Sequence, residues 1–211
     1  MEPMELSHVR KEYSESTLRK KDLSHNPFEE FKKWLHAAKE DPEPNAMQLA
    51  TTVNDRPSLR TVLLKEVNEK GFIFFTHTES RKGKEILKNP NVSLLFLWKE
   101  MERQIIIEGK AEPVSKEKAH AYFEKRPRKS QLGSAASVQD AHLASKEELI
   151  KAYEALTKKF EGRQVEPPED WGGYLVKPTR FEFWQGSEAR LHDRFEYVPK
   201  DNGWRLQRLS P

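Results

Sequence analysis

Between Trp184 and Arg194 the chain reads Trp-Gln-Gly-Ser-Glu-Ala-Arg-Leu-His-Asp-Arg. If the second half of this segment is extended, its side chains alternate between two faces. Arg190, His192 and Arg194 then share one face, and Leu191 and Asp193 point the other way. Three cationic or protonatable groups side by side repel one another unless an anion sits before them. Trp184 and Gly186, just upstream, offer an aromatic surface and a close backbone approach. The chemistry this pattern predicts is recognition of a planar, phosphorylated small molecule. The competing reading is a solvated edge strand with surface arginines.

Other groups in the chain could also hold an anion. Arg60-Thr61-Val62-Leu63-Leu64-Lys65 carries a cation at each end of an apolar run. Phe75-Thr76 ends the next apolar run, and Ser80-Arg81-Lys82 opens a helical pattern whose first amides are free to bind phosphate. Tyr122, Arg126 and Ser130 recur every four residues, a phenol, a guanidinium and a hydroxyl on one helical face if Pro127 leaves the geometry intact. Taken singly, each reads first as a rim or solvated surface group. A glycine-rich dinucleotide loop, a phosphate-binding Walker loop and a Gly-x-Ser-x-Gly elbow are all missing. The seven histidines (His8, His25, His36, His77, His120, His142 and His192) lack metal-ligand spacing, so no metal site is expected. Only His192 has a suggestive context; the others read mostly as surface groups.

Composition narrows the function classes. With 211 residues the chain is long enough for a real core. Lys plus Arg is 37 against 34 for Asp plus Glu, a net charge of +3, too balanced for a nucleic-acid binder. Cysteine is absent, which excludes disulfides, thiol nucleophiles and thiolate metal sites. The first residues lack the apolar core of a secretory signal, and no apolar run approaches the ~18 residues of a membrane span. A cytoplasmic protein is the expectation.

The elements that must position these groups follow from period and punctuation. Residues 1–24 are polar, with a basic cluster at Arg19, Lys20 and Lys21, and read as a flexible arm; 25–211 read as one domain. Asn26-Pro27 starts a helix carrying Phe28, Phe31, Trp34, Leu35 and Ala38. Runs at 46–53, 59–67, 71–76, 92–98 and 104–114 predict strands, with Gln104-Ile105-Ile106-Ile107 buried on both faces. Helices are predicted over 80–88, 115–125 and, from a capping box at Ser145-Lys146-Glu147-Glu148, to Phe160. Residues 129–141 read as a loop or weak helix. Strands at 174–176, 180–184, 191–198 and 204–209 close the chain. About nine strands and four helices predict a mainly β fold, a barrel with peripheral helices.

Together these segments resemble one family, the FMN-dependent pyridoxine/pyridoxamine 5′-phosphate oxidases. The matching stretches are Arg10-Lys11-Glu12-Tyr13, Arg60 to Lys65, Phe75-Thr76, Ser80-Arg81-Lys82, Glu102-Arg103-Gln104, Tyr122-Phe123, Arg126-Pro127-Arg128, Ser130-Gln131, Phe183-Trp184-Gln185-Gly186, Arg190 to Arg194 and the terminal Arg208-Leu209-Ser210-Pro211. They run in the family's order over nearly the whole chain.

The resemblance implies an antiparallel, Greek-key-like FMN-binding split β-barrel that works as a homodimer with FMN between subunits. It implies that Arg60, Val62, Leu63, Lys65, Phe75, Thr76, Arg81, Lys82, Gln104, Gln139, Trp184 and Arg194 hold the cofactor. Lys65, Tyr122, Arg126 and Ser130 would take the phosphate of a B6 vitamer. Arg190 and His192 would hold its ring over the flavin as the catalytic pair, and Arg10 and Tyr13 would close over it. The implied reaction oxidises pyridoxine or pyridoxamine 5′-phosphate with molecular oxygen. Neither nucleic acid nor membrane is an implied partner. Two departures stand out: Ala135 replaces a frequent tryptophan, and Asp140 replaces the serine that usually follows Gln139. Two alternatives compete: a non-catalytic binder of flavin or pyridoxal phosphate, and a related FMN oxidase acting on another ring substrate.

Overall fold

The computed structural model describes residues 4–13 and 17–211; positions 1–3 and 14–16 of the expected arm lie outside the described residues. The strands are β1 (Ala46–Val53), β2 (Arg56–Leu63), β3 (Glu66–Asn68), β4 (Gly71–His77), β5 (Asn91–Trp98), β6 (Arg103–Pro113), β7 (Trp171–Gln185), β8 (Asp193–Lys200) and β9 (Gly203–Leu209). The α-helices are α1 (Pro27–Ala37), α2 (Arg81–Lys88), α3 (Lys116–Lys125), α4 (Arg128–Ala136) and α5 (Lys146–Lys159), with 3₁₀ turns at Lys20–Asp22 and Glu188–Arg190. All nine strands join one sheet in the order β2-β1-β5-β6-β7-β4-β3, with β8 on β7 and β9 on β8. The β3–β4, β4–β7, β7–β8 and β8–β9 pairs are antiparallel. The mainly β expectation is borne out, as an open sheet rather than a closed one.

Local chemistry explains the helix starts. Asn26 accepts the Phe28 N–H at 2.9 Å and Pro27 takes the first helical position of α1, whose buried face is Phe28, Phe31 and Trp34. Ser80 and Ser115 cap α2 and α3 through the Gly83 and Lys118 amides. Ser145 opens α5 without a side-chain cap, so the capping box predicted there does not form.

Several boundaries move for identifiable reasons. The single run expected over 59–67 breaks at Leu64-Lys65 into β2 and β3. The two strands expected at 174–176 and 180–184 are one 15-residue strand, β7. Pro178 is tolerated because residues 171–176 pair with β4 and 181–185 with β8, so it falls where one ladder ends and the next begins. Residues 128–136 form the helix α4. In β6, Ile105 and Ile107 are buried but Ile106 is only half-buried, so this strand is covered on one face more than the other.

The chain divides into two compact units. The first contains the described residues up to Gln48 with 94–108 and 179–211; the second contains 49–93 and 109–178. The first has an aromatic core in which Trp34 meets Phe183 edge-on at 5.1 Å, and Phe31 meets Phe96 at 5.0 Å. The second buries Phe72, Phe74 and Val176, and carries a cluster of Ala119, Phe123, Leu132, Phe160, Val165 and Trp171. Ala135 packs on that cluster. Among the described residues no helix is long and apolar enough to cross a membrane.

Candidate functional site

Within the second unit a cleft of about 650 Å³ lies against β2, β4, α3 and α4. Its lining includes Lys65, Lys82, Lys125 and Arg126, together with Thr76, Tyr122, Ser130 and Gln139, and among the described residues contains no carboxylate. Val62, Leu63 and Phe75 supply apolar surface. The Phe75 and Tyr122 rings, both in the lining, stack with centroids 4.0 Å apart and planes 7° apart, bringing aromatic surface to the cleft.

The α3–α4 junction explains how Tyr122, Arg126 and Ser130 reach one cleft across a broken helix. Pro127 forces its predecessor out of helical geometry, and Arg126 is extended at φ −72°, ψ 150°. Buried Gln131 donates to the Phe123 and Glu124 carbonyls at 2.9 and 3.0 Å, satisfying orphan acceptors at the end of α3 and holding α4 close. Arg126 donates to Ser134 Oγ at 2.8 Å and lies 4.5 Å above the Trp171 ring. Burial lowers the Arg126 pKa and raises that of Tyr122, each opposed by the charge of the other.

Lys82 is buried, and its ammonium donates to Thr76 Oγ1 and Ser80 Oγ, both at 3.2 Å. Burial pulls its pKa down, with the Asp140 charge opposing. Thr76 in turn donates to Gln139 Oε1 at 3.3 Å. Among the described residues no ion pair joins Lys65, Lys82 or Arg126 to a carboxylate.

The other two predicted cofactor cations of this unit, Arg60 and Arg81, are engaged. Arg60 pairs with Glu85 at 2.8 Å and donates to Thr51 Oγ1 and Ser58 Oγ, each at 2.6 Å; Arg81 pairs with the other Glu85 oxygen at 2.8 Å. Neither arginine lines the cleft. Burial alone would raise the Glu85 pKa, but donors from Ser58, Thr51, Arg81 and Arg60 prevail and hold it at about 2. Glu85 lies four residues beyond Arg81, a spacing visible in the sequence. The first amide of α2 is not free either: the Arg81 N–H is donated to Asp140 Oδ2 at 2.7 Å.

The first unit holds the other predicted group. Trp184 and Arg194 face each other across the β7–β8 ladder. Arg194 is held by Glu182 at 2.8 Å and donates to the Ser210 carbonyl. Burial of Glu182 raises its pKa, and hydrogen bonds from Arg194 and Arg180 more than reverse this. Tyr13 approaches Trp184 and His192 edge-on at 5.6 and 5.3 Å, and Lys11 pairs with Glu102 at 3.1 Å. A hollow of about 530 Å³ is lined by Lys11, Tyr13, Glu102, Gln104 and Trp184, among others. Arg10 is exposed and donates to the nearby Ser7 carbonyl at 3.2 Å.

Arg190 corrects the extended reading of this segment. Residues 188–190 form a 3₁₀ turn, with Ala189 and Arg190 at φ 51° and 61°, so β8 starts only at Asp193. Two successive left-handed non-glycine residues are strained, as backbone at functional sites often is. His192 and Arg194 keep the alternation, with Asp193 buried between them and accepting the Leu18 N–H. Leu191, expected on the face opposite the cations, is 70% exposed, whereas Asp193 is buried.

His77 was missed. It is buried, lines the cleft, and meets both Asp170 oxygens through Nδ1 at 3.0 and 3.1 Å. His8, His25, His36, His120 and His142 are exposed, as expected. Asp170 lies 93 positions from His77, and nothing local announces the pair. Among the described residues no group of His, Asp and Glu could hold a metal ion.

An open antiparallel sheet carrying a cation-lined cleft with aromatic surface, and with no carboxylate among the described residues of its lining, defines a binder of a planar anionic ligand. The model for the family described as pyridoxamine 5′-phosphate oxidase matches residues 29–163, and that for the pyridoxine 5′-phosphate oxidase C-terminal dimerisation region matches 171–211. The chain belongs to the pyridoxamine 5′-phosphate oxidase family. A pyridoxine/pyridoxamine 5′-phosphate oxidase of Crocosphaera subtropica is 49% identical over 214 residues, 99% of this chain and 100% of that one. One of Bacteroides thetaiotaomicron is 46% identical over 98% of this chain and 99% of its own length. Among solved structures, PhzG from Burkholderia lata 383, in complex with tetrahydrophenazine-1-carboxylic acid, superimposes with a TM-score of 0.87 at 32% identity, covering 94% of this chain and all of that one. A related FMN-binding protein from Nostoc punctiforme, 18% identical with a TM-score of 0.72 over 90% of this chain and 100% of that one, shares the fold.

Proposed function

We propose that this chain is an FMN-dependent oxidase of pyridoxine 5′-phosphate and pyridoxamine 5′-phosphate that acts as a homodimer in the cytoplasm. The observation that carries this reading is the cleft lined by Lys65, Lys82, Lys125 and Arg126, with no carboxylate among the described residues of its lining. Its donors suit phosphates, and the stacked Phe75 and Tyr122 suit a flat ring. The near full-length identity to proteins of that name supports the substrate, and the match to a dimerisation region supports the assembly.

The donor set fits FMN. Thr76, Lys82 and Gln139 form a connected polar chain in the cleft, beside the apolar Val62 and Leu63. We assign these residues to the cofactor together with Lys65 and Phe75, and likewise Gln104, Trp184 and Arg194 of the first unit. Arg60 and Arg81 act through Glu85, keeping the start of α2 electropositive. Bound FMN supplies hydride acceptance from the alcohol or amine carbon and its own reoxidation by oxygen, so that pyridoxal 5′-phosphate and hydrogen peroxide form, with water consumed and ammonia released from the amine.

The chain's own residues bind and orient. Lys65, Tyr122, Arg126 and Ser130 take the substrate phosphate, Arg126 with its planar fork. Arg190 positions and polarises the reacting substituent, and His192 donates from Nε2 to the ring. Arg10 and Tyr13 exclude water from the bound substrate.

Purified protein is expected to be yellow and to consume oxygen with either phosphorylated vitamer while releasing peroxide. Protein that takes up no FMN overturns the reading. Flavin binding without peroxide from either vitamer marks a non-catalytic binder instead. Turnover of a non-phosphorylated ring acid, the class of ligand seen in PhzG, in preference to both vitamers also overturns it, because Lys65, Tyr122, Arg126 and Ser130 would then lack a phosphate to hold.

A further inference from the structure

Asp140 follows the cofactor-assigned Gln139 and lies at φ 68°, a left-handed conformation that aspartate tolerates better than most residues. Its carboxylate is seated on the first amide of α2, accepting the Arg81 N–H at 2.7 Å. Gln139 accepts from Thr76. The dipeptide 139–140 is thus tied to Thr76 and Arg81, on either side of the turn that leads into α2, and Thr76 also receives the Lys82 ammonium. The Asp140 charge is felt inside the cleft, where it favours the charged form of Lys82. On its outer side Asp140 borders a hollow lined by Arg56, Arg81, Lys84 and Lys88 with Glu79 and Glu85. A helix N-terminus attracts an anion through its free amides and its dipole. Here a side chain of the same chain already serves as that anion.

We infer that Asp140 is an internal competitor for the flavin phosphate, setting how much the phosphate adds to flavin affinity. This inference rests on the proposed binding of FMN against Thr76 and Lys82. A phosphate drawn to the start of α2 meets a carboxylate that already neutralises part of the local positive field. Either the two anions share that field at a cost in repulsion, or the 139–140 segment gives up its hold on Arg81. Both routes weaken FMN and leave riboflavin, which has no phosphate, untouched. Asparagine at 140 still offers an oxygen to the Arg81 N–H but carries no charge, so Asp140→Asn separates charge from cap. Asp140→Ser removes the charge with a shorter side chain.

The test is dilution of the flavin-loaded full-length chain, with dissociation followed by the return of flavin fluorescence. Asp140→Asn and Asp140→Ser are each expected to lower the Kd for FMN roughly three- to fivefold, the upper part of the range for one exposed charge at a helix terminus. The Kd for riboflavin should stay within about twofold, and the FMN-to-riboflavin ratio is the quantity read. If both variants hold FMN no more tightly than the original chain, or gain equally for riboflavin, the inference is wrong. Failure of the original chain to take up FMN at all would instead overturn the proposed function.

Discussion

Ser187 donates its backbone N–H to Nδ1 of His192 at 3.2 Å. That nitrogen is therefore the acceptor, and the ring proton sits on Nε2, which is left to donate. The tautomer is set by a backbone amide that no side-chain substitution removes.

The two ring nitrogens can be tested separately. Asparagine at 192 places an acceptor near the position of Nδ1, and glutamine places a donor near that of Nε2. His192→Gln should retain about tenfold more kcat/KM for the phosphorylated vitamers than His192→Asn, the worth of one hydrogen bond to substrate. FMN affinity should be unchanged in both. Steady-state oxygen uptake combined with flavin titration checks this; equal losses in the two variants would remove the assigned role of Nε2.

Arg190 and Arg126 should fail differently. Arg190 sits on a strained turn and is assigned to the reacting group, so Arg190→Ala should cost about 2–4 kcal/mol of transition-state stabilisation, read mainly in kcat. Arg126 is assigned to the substrate phosphate, so Arg126→Ala should mainly raise KM. Both should stay yellow. Loss of flavin in both variants would show that the division of the two sites is wrong.

The strands were legible because period-two alternation and turn residues are local signals, and β1 falls at 46–53 as read. What escaped is set by partners far along the chain. Pro178 reads as a break until β4 and β8 are seen to share β7 on either side of it. Arg60 reads as a free cation until Glu85 closes on it. His77 reads as a surface group until Asp170 meets its ring. Conversely, Tyr122, Arg126 and Ser130 were legible as a set at a spacing of four. They converge by a different route, through a break at Pro127 that Gln131 repairs.

Glu85 ties β1, β2 and α2 together, and its contribution depends on pH. Its folded pKa of about 2 lies below the ordinary 4.5, so the stabilisation is present above about pH 4.5 and is lost as pH falls towards 2. After solvent screening this is worth on the order of 1–2 kcal/mol. Urea unfolding at pH 7 and pH 3 should show the loss in the original chain. Glu85→Gln should be less stable at pH 7 and should lose less between the two pH values. Parallel losses in both proteins would place the acid sensitivity elsewhere.

Gly186 is where the N-terminal segment meets the β7–β8 turn. A Cβ built there would lie 2.8 Å from Tyr13 Cδ1 and 2.9 Å from Glu102 Cβ, closer than side-chain carbons approach. Glu102 cannot retreat cheaply, because its carbonyl accepts the Gly186 N–H at 2.7 Å and its carboxylate is buried against Lys11. Tyr13 is held by ring edges alone among the contacts described. Gly186→Ala should therefore unseat Tyr13 while the sheet stays intact. The expected result is a several-fold rise in KM for both vitamers with kcat and FMN affinity little changed, and a lowered Tm from the contact with Glu102. Tyr13→Ala should give a similar rise, and the double variant no more than either alone, since both remove the same contact. Additive losses in that cycle would mean that Gly186 acts through Glu102 rather than through Tyr13.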